Sequence, residues 1–164
     1  MPELELFTLD LHSPIAYVGM ENPPLAGAPM TGSALLPASE GGFREVALGA
    51  DIGEDEEELF LFDAEELIDF DLDDGPRLRR PLPRPRYYGR RPAQGSAETE
   101  TVLPIGSYAF LQWRPGDDEE LADGLEWFAR ESWWERIDAK GPYILRRVRE
   151  HGKLATQALR RLKN

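Results

Sequence analysis

At 164 residues, 41% hydrophobic and 10% aromatic, the chain suits one domain with a real core, with two small ones as the alternative. A formal net charge of −12 argues against a general nucleic-acid binder, which needs a basic surface. The absence of cysteine removes disulfides, thiolate catalysis and thiolate metal sites. No apolar run approaches the roughly 20 residues that span a bilayer. The opening MPELELFTLDLHSP carries acids where a signal peptide carries positive charge, so a cytoplasmic location is expected.

In chain order, ELELFTLDL (3–11) places Leu4, Leu6, Leu9 and Leu11 in imperfect alternation and predicts a first strand. SPIAYVGM (13–20) predicts a second, with Ile15, Tyr17 and Val18. Residues 21–42 are rich in Pro, Gly, Ala and Ser and read as a long loop with at most one brief ordered piece. FREVALGA (43–50) and EELFLFD (57–63) are expected to be strands joined across the acidic DIGEDE turn. AEELIDFDL then reads as a short helix or a third strand.

The charges come in blocks. Asp51–Asp74 holds 13 acids and no base, and Arg77–Arg91 holds seven arginines and no acid. The plainer reading is two solvated segments that attract one another; the sharper one is a docking surface. Prolines at 76, 81, 83, 85 and 92 fix φ and remove amide donors, so no helix or central strand is expected through 75–99. That Pro/Arg-rich segment reads as an extended or flexible linker, with Tyr87 and Tyr88 as anchors.

Val102–Trp113 predicts a strand with Ile105, Tyr108, Phe110 and Leu111 as its apolar members. Pro115 and Gly116 end it, and Asp117 and Asp118 cap a helix over 117–136. Leu121, Leu125 and Phe128 share one face of that helix and are expected to pack against Ile105 and Phe110. Trp127 and Trp134 share nearly the opposite face. The final YILRRVREHGKLATQALRR reads as a hairpin about His151-Gly152 or as an amphipathic helix with Gly152 in its middle. The hairpin is preferred, because it sets Glu150 against Lys153, Val148 against Ala155, Leu145 against Ala158 and Ile144 against Leu159.

Neither His12 nor His151 has metal-binding spacing, and there is no G-x-S-x-G elbow, phosphate loop or dinucleotide glycine pattern. DIGEDEEE lacks the spaced oxygens of a calcium loop. No enzyme of familiar mechanism, no metal and no cofactor is expected. What remains is an aromatic and acidic group containing Tyr108, Phe110, Trp113, Trp127, Trp133 and Trp134, with Glu126, Glu131 and Glu135. Aromatic faces beside a carboxylate suit an amphipathic cation. The plainer alternative is that these rings fill the core. The candidate ligand-binding set is Tyr108, Phe110, Trp113, Glu126, Trp127, Glu131 and Trp134.

LPIGSYAFLQWRPGDDEELADGLEWF (103–128) resembles the second-half opening of gyrase-inhibitor-like domains, which also serve as effector-binding domains of transcription regulators. Leu103, Pro104, Ile105, Gly106, Tyr108 and Ala109 match the strand of that family, and Trp127 or Trp133 its helix position. The resemblance implies a duplicated strand–helix–strand–strand fold and cationic ligands, and SPIAYVGM (13–20) echoes LPIGSYAFLQ (103–112) as a duplication would. The terminal pattern also resembles the ends of uncharacterised bacterial proteins, which implies no function.

The expected fold is therefore α+β in a single domain over 1–164. It combines an antiparallel sheet from two half-units, one main amphipathic helix (117–136) and the connecting segment at 75–99. The expected function is non-enzymatic binding of an aromatic or cationic small molecule. The alternative is a protein–protein interaction module using acidic 51–74 and basic 77–91. Neither membrane nor nucleic acid is expected as a partner.

Overall fold

The computed structural model describes residues 7–23, 25–26, 32–37, 40–49, 52–54, 56–71, 75–79, 82–91, 100–114, 118–131, 136–138 and 140–163. The first strands are β1 (Phe7–Leu11), β2 (Ile15–Glu21), β3 (Leu25–Ala26), β4 (Ser33–Pro37), β5 (Phe43–Ala47) and β6 (Glu57–Phe62). A single turn of helix, α1 (Ala64–Leu67), leads into β7 (Ile68–Asp71), β8 (Gly75–Leu78) and β9 (Tyr87–Arg91). β10 (Glu100–Leu103), β11 (Gly106–Trp113), α2 (Asp118–Glu131), β12 (Tyr143–Glu150) and β13 (Lys153–Arg161) complete the described elements. Strands thus dominate, and the α+β expectation with a main helix is overturned. The physical reason is that α2 covers one patch of a much larger sheet instead of forming a layer of its own.

Eight strands form one antiparallel sheet in the order β1-β11-β13-β12-β6-β9-β2-β10. Its two ends are the same seam. β1 continues into β2, and β10 into β11, while β1 pairs β11 and β2 pairs β10. Leu11 lies opposite Gly106 and, across the gap, Ala16 opposite Thr101, five residues on in each chain, with a local register shift between Thr101 and Leu103, where Leu103 lies opposite Ile15. That gap holds Pro14 and Pro104, neither of which has an amide to donate. The neighbours therefore run in a closed circuit. With β1/β2 and β10/β11 each one broken strand, the eight make a six-stranded barrel.

Strand alternation then divides the side chains into an interior and an exterior set. Tyr17, Leu59, Tyr87, Leu103, Tyr108, Ile144 and Leu159 come from seven strands around the circuit and meet in one buried cluster, the barrel interior. Outward residues such as Phe60, Tyr88, Leu111, Trp113, Leu145 and Ala158 belong to a second cluster. That cluster is covered by α2, by the β7–β8 hairpin and by the three-stranded sheet β3-β4-β5.

α2 buries Leu121, Leu125 and Phe128, as their spacing predicts, but against a different face of β11. Its partners are Ala109, Leu111 and Trp113; Phe110 points into the barrel and Ile105 is 56% exposed. Gly124 sits inside the helix because a Cβ there would lie 2.9 Å from the Trp113 indole. The described helix spans Asp118–Glu131, 132–135 of the expected span lie outside the described residues, and Ile137 bridges to Leu162.

Three further expectations change. The segment 21–42 contains two strands, β3 and β4, which pair with each other. β5 and β6 do not form a hairpin: β5 pairs β4, whereas β6 lies between β12 and β9. A central strand does run within 75–99, because Arg86–Arg91 is free of proline, and β9 occupies it. The terminal segment is a hairpin with the expected register, and its turn residues His151 (φ 52) and Gly152 (φ 78) both adopt positive φ. No helix among the described residues is long and apolar enough to cross a membrane.

Candidate functional site

The aromatic and acidic set does not converge. Tyr108 and Phe110 line the barrel interior, where the Tyr108 hydroxyl donates to the Pro104 carbonyl at 2.7 Å. Burial pushes the Tyr108 phenol above its ordinary pKa, with Arg161 opposing. Trp113 lies on the other face of β11, against α2. Trp127 is half-buried beside the exterior cluster, which includes Leu78 of β8, and Glu126 is half-buried on the same helix. Glu131 closes α2 with its side chain outside the description, and Trp133, Trp134 and Glu135 lie outside the described residues.

A different group does converge. β6 carries adjacent glutamates and β12 adjacent arginines, and alternation sends one of each to either side of the wall. On the inside, Arg146 Nη2 donates to Glu57 Oε2 at 2.6 Å, and the Tyr17 hydroxyl donates to the same oxygen at 2.9 Å. Beside Arg146 across the β12–β13 ladder stands Gln157, whose Nε2 donates to Gln112 Oε1 at 2.9 Å. Gln112, Gln157 and Arg146 form one row on successive strands. The row runs from exposed Gln112 to Gln157 and Arg146, which are 8% and 7% exposed. Arg146 Nε and Gln157 Oε1 are buried without a hydrogen-bond partner.

The ionisation of this group is fixed by its surroundings. Burial pushes the Tyr17 phenol well above the ordinary tyrosine range, Arg146 opposing and Glu57 reinforcing the shift. For Arg146, burial works against its charge, but Tyr17 and Glu57 outweigh it and raise its pKa. The interior row therefore presents a neutral phenol, a paired guanidinium and two amides.

Outside the wall, Glu58 is fully buried and its carboxylate is well supplied. It accepts from the Tyr88 hydroxyl at 2.5 Å and from the Gly49 amide at 2.9 Å, with Arg90 at 3.5 Å. Arg90 also donates to the Tyr88 hydroxyl and to the Ala47 carbonyl. This network ties β5 to β6 and β9 and has the character of a structural staple. It also answers the question of the charge blocks, since acidic 51–74 and basic 77–91 meet in cis through Glu58–Arg90, Asp63–Arg86 and Asp69–Arg79.

A shallow cleft of about 300 Å³ lies elsewhere, between Asn22, Pro23, Asp63, Glu66, Arg84, Pro85 and Arg86. Among the described residues no group of three His, Cys, Asp or Glu is placed to hold a metal ion. The sequence signal for the interior group was the Glu57-Glu58 doublet at the start of β6 and the Arg146-Arg147 doublet within β12. Gln112, Gln157 and Tyr17 gave no signal that local pattern could separate from ordinary strand residues. Comparison with protein-family models finds none that matches the chain, and no curated protein or solved structure matches it either.

Proposed function

We propose that the chain is a non-enzymatic small-molecule-binding β-barrel, cytoplasmic, with the polar part of the barrel interior as its site. The observation that carries this reading is the row Gln112–Gln157–Arg146, which places two buried, unpartnered polar atoms on neighbouring strands of the barrel interior. Buried polar groups are nearly always satisfied, and of those left without a partner these two stand side by side on neighbouring strands of the interior, where a ligand would satisfy both. Tyr108 and Phe110 of the aromatic set stand on the wall of the same interior. Glu57 is already engaged by Arg146 and Tyr17, so the site favours a neutral polar ligand over a cation. Catalysis is not part of the proposal, because Tyr17 is held protonated and Arg146 charged, and neither exchanges protons readily near neutral pH.

The test is a panel of cationic, anionic and neutral aromatic compounds followed by backbone amide NMR shifts. Movement of the Glu57, Arg146 and Gln157 amides, with α2 unaffected, is expected. A folded protein in which no compound moves those three amides would contradict the proposal. A protein–protein interaction module is the second reading. What favours it is the pair Leu35 and Phe43 on the outer side of the β4–β5 ladder, 39% and 64% exposed.

A further inference from the structure

We infer that the group this interior takes is the edge of an amide, the adjacent N–H and C=O of a lactam or a primary carboxamide. The inference rests on the proposed barrel-interior site and names its ligand class. Arg146 and Gln157 are cross-strand partners, so their Cβ atoms are about 5 Å apart on the same face. Each is tied back by its far atom. Arg146 Nη2 is held toward β6 by Glu57, and Gln157 Nε2 toward β11 by Gln112.

The groups left over are the Arg146 Nε–H, a donor, and Gln157 Oε1, an acceptor, both buried and unpartnered. In a planar amide the oxygen diverges from the nitrogen, so a Gln157 whose Nε2 faces β11 turns its carbonyl away from β11, toward the row that Arg146 shares. A donor beside an acceptor is matched by the reverse pair on one rigid edge.

Charge argues against an ion. An ammonium would meet the Arg146 guanidinium, and a carboxylate would meet Glu57, which sits against that same guanidinium. A ketone would satisfy Arg146 and leave Gln157 Oε1 buried without a donor. The apolar remainder of the ligand would lie on Leu59, Ile144 and Leu159, which line the same interior.

The experiment titrates the full chain with 2-piperidinone, N-methyl-2-piperidinone and cyclohexanone, one atom pattern varied at a time, and follows the Glu57, Arg146 and Gln157 backbone amides by NMR. The lactam is expected to move all three and to bind about tenfold or more tightly than either analogue, the usual effect of one buried unmet hydrogen bond. Gln157→Leu should abolish that preference while the thermal transition shows a folded protein. Should this variant not fold, the wild-type comparison of the three compounds decides.

Cyclohexanone binding as tightly as the lactam would mean that Gln157 presents an N–H, and would overturn the inference. Preferential binding of tetramethylammonium or acetate at the same amides would overturn it and leave the barrel-interior site standing. If nothing moves those amides in a folded protein, the site and the inference fall together.

Discussion

Gly19 and Gly89 face one another across the β2–β9 ladder, and neither position tolerates a side chain. A Cβ at Gly89 would sit 2.7 Å from the Tyr87 hydroxyl, and one at Gly19 would enter the backbone of Tyr88 and Gly89. The two glycines leave the space in which the tyrosine rings cross the barrel. Gly19→Ala should therefore destabilise by about 1–3 kcal/mol, the scale of overpacking, read as a lower urea midpoint at unchanged slope. Buried tyrosines on both faces of the barrel wall set the behaviour in alkali. Burial raises the pKa of Tyr17, Tyr88, Tyr108 and Tyr143, so the folded state holds protons that the unfolded state releases near pH 10. Their contribution is complete below about pH 10 and is lost as pH rises above it. Absorbance at 295 nm should show these phenols ionising together with unfolding; smooth ionisation near pH 10 in a folded protein would contradict their placement. At this scale the Glu57-Glu58 and Arg146-Arg147 doublets were legible as charges. Which member of each faces inward was not, because only the neighbouring strand's register decides it.

Among the elements, the β12–β13 hairpin was the most legible, since the turn residues and the cross-strand pairs agree. A Cβ added at Gly152 would meet nothing within 4 Å, so the φ of 78° alone makes glycine favourable there. Gly152→Ala should lower the melting temperature through a loss of about 1 kcal/mol, and a rise would contradict the turn. α2 was legible from Leu121, Leu125 and Phe128, but its partners were assigned to the wrong side of β11. Tyr108 and Phe110 alternate with Ala109 and Leu111, and both sets are apolar, so periodicity could not say which one meets the helix. The structure fixes the choice and makes it measurable. Leu111→Ala should cost about 2–5 kcal/mol, whereas Ile105→Ala, at an exposed site, should stay within about 0.5 kcal/mol. β9 is masked in the sequence by the five prolines around it, although the run from Arg86 to Arg91 has none.

For the whole molecule, the decisive feature is closure. It pairs residues 7–17 with 100–110, a separation over which no local pattern carries information. The likeness of SPIAYVGM to LPIGSYAFLQ was legible, but the two stretches meet only at Ile15 and Leu103; the seam pairs β2 with β10 and β1 with β11 on either side of Pro14 and Pro104. Closure also explains why the chain can be so charged and still bury its strands. A closed circuit leaves the large sheet no long open edge, and the Glu58–Arg90 pair between the two charge blocks joins β6 to β9. It creates the enclosed interior on which the proposed site depends. The most direct test is a pair of backbone nuclear Overhauser contacts in one sample, between Thr8 and Ala109 and between Ala16 and Thr101. Both should be present, on either side of Pro14 and Pro104 and of the local register shift between Thr101 and Leu103. Contacts at Thr8 without those at Ala16 would mean an open sheet and no enclosed site.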